Sequence, residues 1–238
     1  MKILTIIPAR SGSKGIPSKN IINLAGKPLI EYTINCALNS AYLTDIIVST
    51  DSNDIAEISR EIGANVPFLR PQELSSDEAQ SAPVILHALN FMEKKKGIKY
   101  DVVLMLQPTS PLRNSEHINQ AIKLFSESKE CDSVVSVVSV SGNHPFRMKR
   151  LIGKRLVNFI DQGYWDMRPR QVLPEVYIRN GAIYLIDRDK IIKNKELIGD
   201  HCLGMVMSDE DSINIDTPLD LKMADLIIKN YENNSRKL

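Results

Sequence analysis

Strand and helix signals alternate along most of this chain, and the alternation predicts an α/β fold with a doubly wound, mostly parallel sheet. Apolar runs such as KILTII and DVVLML have the length and composition of buried strands. The segments between these runs carry a helical period over ten residues or more, which is enough to cross between parallel strands. Ligands of such sheets bind beyond the carboxyl ends of the strands, so the loops at that edge are the candidate binding loops.

Four strands and four helices are predicted in order before residue 140. The strands are KILTII, DIIVST, DVVLML and DSVVSVVSV; the helices are GKPLIEYTINCALNS, DSNDIAEISREIG, a long one over roughly residues 78–95, and NSEHINQAIKLFSES. Pro28 suits the first turn of the first helix. Asp51, with Asp54 three residues later, resembles a capping box for the second helix, and Gly63 would end it. Asp77 fits the N-cap of the third helix.

The regular pattern breaks after this fourth strand and resumes near residue 176. Residues 141–176 contain scattered aromatic, proline and basic residues without a sustained period, and a structureless stretch of that length is unusual in a compact domain. We interpret this segment, called the excursion below, as having a role of its own. Beyond it, VYIRNGAIYLID, GMVMS and SINID predict further strands, and a last helix begins at Pro218. The chain 1–238 is thus predicted to form one domain with an excursion.

Composition and charge exclude several classes of protein. Of 238 residues, 43% are hydrophobic and 25% are charged, which is ordinary for a globular protein. A net charge of +1 provides no basic field for nucleic acid or an anionic membrane, and no stretch has the length of a membrane span. Three widely spaced cysteines without a C-x-x-C pair indicate reduced thiols, so we expect a cytoplasmic protein.

The segment PARSGSKGIPSKN, residues 8–20, directly follows the first predicted strand and is called the opening loop below. It places Arg10, Lys14 and Lys19 among small residues with no hydrophobic period. Cations and free backbone N–H groups gathered in one loop favour a polyanionic ligand, which offsets their mutual repulsion. The loop fits neither the P-loop pattern nor the G-x-G-x-x-G dinucleotide fingerprint, and a polar β–α connection with surface lysines is the alternative.

A second polar segment, LMLQPTSPLR, follows the strand DVVLML. It places Gln107, Thr109, Ser110 and Arg113 just past the strand end, while two prolines fix the backbone and leave the polar side chains available. A rigid proline turn with incidental hydroxyl groups explains this segment equally well on its own.

A third segment, SINIDTPLDL, precedes the last helix. Alternation puts Ser212, Asn214 and Asp216 on one face. Thr217 and Asp220 have a sufficient explanation as N-cap and N3 residues of the helix, but Asp216 precedes the cap. A carboxylate at a strand end facing the opening loop suits Mg²⁺ on a triphosphate, and an aspartate bonded to nearby backbone is the alternative. Together with the first two polar segments, a metal-binding carboxylate here suggests nucleotidyl transfer from a nucleoside triphosphate. That reaction depends on positioning and charge neutralisation.

The chain closely resembles the CMP-sialic acid synthetases, the cytidylyltransferases that activate N-acylneuraminate and related nine-carbon sugar acids. The segments that carry the resemblance occur in family order over nearly the whole chain: IPARSGSKGIPSKN, DIIVSTDS, LRPQELSSDEA with HAL, QPTSPLR, PRQVLP, NGAIY and DSINIDT. The resemblance implies a Rossmann-like nucleotidyltransferase fold and the reaction of CTP with a sugar acid to give CMP-sugar acid and pyrophosphate. It also implies Mg²⁺ as the cofactor.

The resemblance further implies a role for each matching residue. The implied catalytic set is Arg10, Lys14, Lys19 and Asp216. The implied nucleotide-binding set is Pro8, Ala9, Arg10, Ser13, Lys14, Lys19, Asn20, Arg70, Ala79 and Ser81. The implied sugar-acid contacts are Gln107, Arg147, Arg170, Arg179 and Asn180, and the implied metal ligands are Asp216 and Asn214. Two of the arginines, Arg147 and Arg170, match family residues supplied by a neighbouring protomer, which implies a homodimer joined through the excursion.

Two departures from the family pattern affect these expectations. Asn214 stands where some members have a second aspartate, so one metal ligand is weaker or replaced by water. The segment Tyr177-Ile178-Arg179-Asn180-Gly181 stands where some members have F-R-P-N-G, so legionaminic-type acids are as well supported as N-acetylneuraminate. The alternatives are a cytidylyltransferase for the eight-carbon sugar acid of lipopolysaccharide and a non-catalytic CTP-binding regulator.

Overall fold

The computed structural model describes residues 1–13, 15–76, 78–140 and 142–235. The elements in chain order are β1 Ile3–Pro8, β2 Asn23–Leu24, β3 Lys27–Pro28, α1 Leu29–Leu38, β4 Asp45–Ser49, α2 Asn53–Glu61, α3 Ser81–Lys96, β5 Val102–Met105, α4 Ser115–Glu127, β6 Ser133–Ser139, β7 Lys149–Ile152, β8 Arg155–Asn158, β9 Tyr177–Asp187, α5 Arg188–Asn194, β10 Cys202–Val206 and α6 Pro218–Ser235. Lys14 and Asp77, predicted as a phosphate contact and an N-cap, lie outside the described residues.

Six of these strands form the central sheet, in the order β10-β6-β9-β5-β1-β4. Strand β1 is parallel to both β4 and β5, and β6 is parallel to β10, whereas β9 runs antiparallel between β5 and β6. The predicted mostly parallel sheet is therefore confirmed. From β1 the chain first adds β4 on one side and later β5 on the other, so the order of the strands reverses between β1 and β5. Sheets of this type bind ligands beyond the carboxyl ends of the strands at such a reversal.

Helices cover both faces of the sheet, which confirms the doubly wound prediction. Side chains of α1, α2 and α4, including Ile34, Ile55 and Ile118, are buried with one face of the sheet. Side chains of α3 and α5, including Leu89 and Ile191, are buried with the other face. Full burial of one such side chain stabilises the fold by roughly 1.5–3 kcal/mol, and the aliphatic residues recur at helical spacing for this reason.

A third cluster of buried side chains attaches α6 to the rest of the molecule. Ile16 of the opening loop packs with Ile215 and with Ala224 and Ile228 of α6. Thr217 and Asp220 form the predicted helix start: Asp220 Oδ2 accepts hydrogen bonds from Thr217 N at 2.7 Å and Thr217 Oγ1 at 2.8 Å. This cluster holds the opening loop next to the segment that carries Asp216.

Two predicted helix starts are wrong. Ser52, not Asp51, caps α2, because Ser52 Oγ accepts a hydrogen bond from Ile55 N at 3.3 Å. The Asp51 carboxylate accepts hydrogen bonds from Ser11 instead. Helix α3 begins at Ser81 with Gln80 as its N-cap, three residues later than predicted. The sequence pattern alone could not separate two adjacent capping residues, because both have suitable side chains.

After residue 140 the structure corrects one expectation and shows a hairpin and a helix that were not predicted. The segment SINID is not a strand; Ile215 N donates one hydrogen bond to Thr109 O at 2.8 Å, and no ladder continues from it in the described residues. The excursion is not structureless, because β7 and β8 form an antiparallel hairpin. Helix α5 was not predicted, since its seven residues, RDKIIKN, are too few and too polar to show a helical period of apolar side chains. Among the described helices, none has both the length and the apolarity that a membrane crossing requires.

Candidate functional site

A cavity of about 550 Å³ opens at the carboxyl ends of β1 and β5, where the order of the strands reverses. Its lining residues are Pro8, Arg10, Ser13, Gly15, Lys19, Asn20, Arg70, Leu74, Ser76, Ala79, Ser81, Val84, Gln107, Pro108, Thr109, Asn214 and Asp216. The cavity therefore brings together the predicted nucleotide-binding residues, except Ala9, which is fully buried, and Lys14, which lies outside the described residues. It also holds both predicted metal ligands and Gln107.

The opening loop is held at one wall of this cavity by its own hydrogen bonds. Asn20 is buried and donates through Nδ2 to Arg10 O at 2.8 Å, which joins the two ends of the loop. Ala9 N donates to Ser49 O at the end of β4, at 3.0 Å. A Cβ on Gly15 would lie 2.6 Å from the backbone oxygen of Asp216, so only glycine allows the loop to pass this close.

Lys19 and Asp216 form an ion pair at the cavity. Lys19 Nζ donates to Asp216 Oδ1 at 2.9 Å and to Ile215 O at 3.0 Å. The Lys19 side chain is only 16% exposed, whereas the Asp216 side chain is 65% exposed. A largely buried ammonium held by two oxygen atoms is a fixed positive charge, and the exposed carboxylate beside it is open to a cation from solvent.

Asn214 lies beside this pair and offers a second oxygen atom. Its Nδ2 donates to Asp216 Oδ2 at 3.3 Å, while its Oδ1 is buried and has no hydrogen-bond partner in the described part of the chain. No group of three or more His, Cys, Asp or Glu side chains suited to a metal occurs among those residues. One carboxylate and one buried amide oxygen therefore fit Mg²⁺ that takes its other ligands from phosphates and water.

The opposite wall contains a buried cation, Arg70. Arg70 is 6% exposed, its Nε donates to Ser75 Oγ at 3.2 Å, and its Nη2 lies 3.7 Å from Asp51 Oδ1. Burial lowers the pKa of Arg70, and the Asp51 carboxylate opposes that effect. Burial alone would raise the pKa of Asp51, but the hydrogen bonds from Ser11 outweigh it, so its pKa lies below the usual range and Asp51 is ionised at neutral pH.

The segment after β5 is fixed by Arg113, which the sequence suggested as an available polar side chain. Arg113 is instead buried: its Nη1 donates to Gln107 O at 3.1 Å and to Ala182 O at 2.7 Å, and its Nη2 donates to Thr33 Oγ1 at 2.6 Å. Gly181 adopts a φ of +81°, and a Cβ there would lie 2.6 Å from Gln107 Oε1. Glycine therefore leaves the space that the Gln107 amide fills.

Two of the predicted sugar-acid residues meet at a smaller cavity of about 320 Å³ next to the first. This smaller cavity shares Ser81 and Gln107 with the larger one, and its lining residues are Gln80, Ser81, Ala82, Met105, Gln107, Arg179, Tyr184, Lys195, Glu196, Leu197 and Ile198. Gln107 therefore stands between the two cavities, with Arg179 on the far side. The sequence did not indicate the residues from 195 to 198, which follow a helix that it did not predict.

Asn180 lies behind the cavity wall. It is buried, its Oδ1 accepts from Ser136 Oγ at 2.6 Å and from Ala182 N at 3.2 Å, and its Nδ2 donates to Ser212 Oγ at 2.9 Å and contacts Met207 Sδ at 3.2 Å. These partners use the full bonding capacity of the amide. A direct contact between Asn180 and a ligand stays a prediction, and in this conformation the amide holds the backbone of β9.

The two remaining arginines belong to the excursion. Arg147 Nη2 donates to Arg168 O at 2.9 Å, and Arg170 lines a separate cavity with His144 at the base of the excursion. Neither arginine is among the lining residues of the two cavities described above. Their role in the site of a second protomer stays a prediction.

A doubly wound sheet with a cation-rich loop and an exposed carboxylate where the order of its strands reverses defines a nucleotide-binding α/β protein. Residues 4–153 match the family described as cytidylyltransferase, and the chain belongs to that family. It is 38% identical over 224 residues to the N-acylneuraminate cytidylyltransferase of Escherichia coli O18:K1:H7, covering 94% of this chain and 51% of that protein. It therefore spans about half the length of that relative.

A second relative matches over nearly its whole length. The CMP-N,N'-diacetyllegionaminic acid synthase of Legionella pneumophila is 36% identical over 234 residues, which is 96% of this chain and 97% of that protein. Among solved structures, a CMP:2-keto-3-deoxy-manno-octonic acid synthetase complexed with CTP has a TM-score of 0.71 at 16% identity, covering 97% of this chain and 100% of that one. At that identity the likeness shows the fold alone. The family resemblance found in the sequence is thus confirmed.

Proposed function

We propose that this chain is a cytidylyltransferase that transfers CMP from CTP to the anomeric hydroxyl of a nine-carbon sugar acid and releases pyrophosphate. The observation that carries the proposal is the cavity at the carboxyl ends of β1 and β5, which Lys19, Arg10 and Arg70 line together with Asp216. These cations suit a polyanionic nucleotide, and the carboxylate suits the metal that accompanies it. Relatives named for N-acylneuraminate and diacetyllegionaminic acid support a nine-carbon acceptor.

In this reaction the anomeric oxygen forms a bond to the α-phosphorus while the bond from that phosphorus to the bridging oxygen of pyrophosphate breaks. The hydroxyl proton passes to solvent water, and negative charge builds up on the leaving phosphates. We assign Lys19, and Lys14 by its sequence position, to the phosphates, and Arg10 and Ser13 to the nucleotide. Arg70, Ala79 and Ser81 form the wall where we place cytidine. Positioning and fixed charge supply most of the catalysis in such transfers.

We propose Mg²⁺ as the cofactor, held by Asp216 and by Oδ1 of Asn214 once the amide turns so that this oxygen replaces Nδ2 beside Asp216. The buried oxygen of Asn214, which accepts no hydrogen bond from the described residues, supports this assignment. When bound, Mg²⁺ would neutralise charge on the phosphate oxygens. Lys19 would then exchange its contact with Asp216 for one with the nucleotide.

We place the sugar acid in the smaller cavity, where Gln107 and Arg179 would bind its polar groups. The guanidinium of Arg179 offers a planar match to a carboxylate. Leu197 and Ile198 give part of the wall an apolar surface, which suits acylamino and deoxy groups better than a chain of hydroxyls. This surface favours a legionaminate-type acceptor over N-acetylneuraminate. The eight-carbon acid 3-deoxy-manno-octulosonate is the alternative, supported by likeness of fold alone.

We further propose a homodimer in the cytoplasm, formed by a single cytidylyltransferase domain with its excursion. The excursion exposes large apolar side chains: Leu151, Ile152, Leu156, Phe159, Tyr164, Trp165, Met167 and Val172. A concentration of exposed apolar groups of this kind supports a protein interface. In the dimer, Arg147 and Arg170 would complete the sugar-acid site of the partner. The free thiols of Cys36, Cys131 and Cys202 agree with a reducing compartment.

An acceptor panel tests the proposed activity. The purified chain is incubated with CTP, Mg²⁺ and, separately, legionaminate, N-acetylneuraminate or 3-deoxy-manno-octulosonate, and pyrophosphate is measured. We expect release with the nine-carbon acids, fastest with legionaminate, and none without an acceptor. Binding of CTP without turnover on any acceptor would identify a regulator instead, and release with the eight-carbon acid alone would contradict the proposed substrate class.

A further inference from the structure

Asp51 lies at the end of β4, between the two walls of the larger cavity, although it is not one of the lining residues. On one side, Ser11 of the opening loop donates to it twice: Ser11 N to Oδ1 at 2.9 Å and Ser11 Oγ to Oδ2 at 2.7 Å. On the other side, Arg70 N donates to Thr50 O at 2.7 Å, and Arg70 Nη2 lies 3.7 Å from Asp51 Oδ1. The same short segment therefore holds both walls.

The hydrogen bonds from Ser11 carry the stronger part of this connection. Two short bonds to an ionised carboxylate give a fixed geometry, because both oxygen atoms are engaged. The Arg70 contact at 3.7 Å is too long for a hydrogen bond, and Nη2 of this buried arginine has no hydrogen-bond partner among the described residues. Nη2 of Arg70 is therefore available to donate to a ligand in the cavity, while the Asp51 carboxylate partly neutralises the charge of the guanidinium.

We propose that Asp51 is a positioning residue for the nucleotide, which sets the opening loop at a fixed distance from Arg70 through its two hydrogen bonds with Ser11. The inference rests on the proposed function for the identity of the nucleotide, but not for the position of the loop. Loss of the Asp51 charge and loss of its positioning role should change nucleotide binding in opposite directions. Removing a carboxylate beside a site for a polyanion makes the site more positive and should strengthen binding. Loss of the two hydrogen bonds that position the opening loop should weaken nucleotide binding.

Two substitutions separate these effects. Asp51→Asn removes the charge but keeps both hydrogen bonds, since its amide oxygen can accept from Ser11 N and its amide nitrogen can donate to Ser11 Oγ. Asp51→Ala removes the charge and the bonds. Asp54→Ala is the matched control, because Asp54 is an exposed carboxylate in the first turn of α2 and nothing in the described residues ties it to the opening loop.

The first measurement is amide hydrogen exchange of the opening loop without nucleotide. We expect Asp51→Ala to speed exchange at Ser11 at least tenfold, and Asp51→Asn and Asp54→Ala to leave it near the wild-type rate. The second measurement is the dissociation constant of CTP with Mg²⁺. We expect Asp51→Ala to weaken binding about tenfold, which corresponds to about 1.4 kcal/mol, and Asp51→Asn to stay within threefold of the wild type.

Any of three results overturns the inference. One is unchanged exchange at Ser11 in Asp51→Ala, and another is CTP binding in that variant as tight as in the wild type. The third is an equal loss of binding in Asp51→Asn and Asp51→Ala, which would show that the two hydrogen bonds with Ser11 do not carry the effect. A wild-type chain that binds no CTP would instead reject the proposed function, and the exchange measurement would still decide whether Asp51 holds the loop. Thermal unfolding of each variant shows that the measured species is folded.

Discussion

Lys19 is held at the cavity wall by the backbone oxygen of Ile215 and the carboxylate of Asp216, with its ammonium largely shielded from water. Shielding strengthens the interaction of a charge with any partner in the site, because the local dielectric is low. The same shielding makes the charge costly to leave without a counter-ion. The Asp216 contact supplies that counter-ion in the absence of ligand, and the phosphates would supply it in the complex.

Substitution of this lysine tests whether its charge acts in the transition state. We expect Lys19→Ala to lower kcat by about 10²–10³, the usual cost of losing one fixed stabilising group, and to weaken CTP binding by a smaller factor. Steady-state kinetics and direct CTP titration separate the two effects. Lys27→Ala is the control, since Lys27 is an exposed lysine paired with Glu31. A kcat unchanged in Lys19→Ala would make Lys19 a structural residue.

Asp216 and Asn214 allow a second test at the residue scale. Asp216→Ala should abolish Mg²⁺-dependent turnover while the chain stays folded, because Thr217 still caps α6 by accepting a hydrogen bond from Asp220 N. Asn214→Asp should keep activity and lower the Mg²⁺ concentration at half-maximal rate, since a charged oxygen replaces a neutral one. In EDTA the same variant should be less stable than the wild type, because two carboxylates then face each other. Full activity of Asp216→Ala at limiting Mg²⁺ would contradict the assignment.

At the scale of elements, helix α3 is tied to the first residue of α5 by an ion pair and to the segment before β5 by a hydrogen bond. Glu93 of α3 accepts hydrogen bonds from Arg188 Nε at 2.9 Å, Arg188 Nη2 at 2.8 Å and Tyr100 N at 3.1 Å. The hydrogen bonds from Arg188 are the main cause that lowers the pKa of Glu93. The pair matters for the site because α3 carries Ser81 at its start, and α5 leads into residues 195–198 of the smaller cavity.

This pair predicts a pH dependence of stability. The folded pKa of Glu93 lies below its unfolded value of about 4.3, so its stabilisation is complete above that pH and is lost as the pH falls through the folded value. We expect Glu93→Gln to lower the free energy of unfolding at pH 7 by about 1–3 kcal/mol, and the difference from the wild type to shrink below pH 4. Urea unfolding at several pH values measures both. A difference in the free energy of unfolding that stays constant down to pH 3 would show that the charge of Glu93 does not cause the loss of stability.

At the scale of the whole molecule, the two cavities and the excursion lie in different parts of one chain. The excursion is a hairpin with most of its large apolar side chains exposed, including Leu151 at 71% and Met167 at 84%. Cation–π contacts such as that of Lys149 Nζ with Trp165, at 4.9 Å, stabilise part of it locally. A second copy of the chain is the partner that we propose for the remaining apolar surface.

Subunit mixing tests the dimer and the exchange of arginines together. Lys19→Ala and Arg170→Ala, each expected to be inactive alone, are refolded in equal amounts. If Arg170 acts in the partner's site, each heterodimer has one intact site and one doubly defective site. Random pairing makes about half of the dimers heterodimers, so roughly a quarter of the wild-type activity should return. Heterodimers proven by mass with no recovered activity would place Arg170 in its own chain's site, and a monomeric wild type would reject the dimer.

The sequence alone determined the order and type of most elements, the opening loop and the family of this protein. Buried strands and amphipathic helices follow from the local periodicity of side chains, so KILTII and DVVLML were predictable without tertiary contacts. The opening loop was predictable because its charge density has no explanation in local folding. The start of α6 at Thr217 and Asp220 was predictable for the same reason that capping patterns are local.

The tertiary structure decided which of these residues share a site. Asp51 was predicted to cap a helix, but its carboxylate binds Ser11, forty residues earlier in the chain, and Ser52 caps the helix instead. Arg113 was suggested as an exposed donor and is buried among backbone carbonyls of two segments. The sequence specifies the chemistry of each side chain, but strand order and packing decide which groups that side chain contacts. Those are non-local properties of the chain, so local pattern cannot supply them.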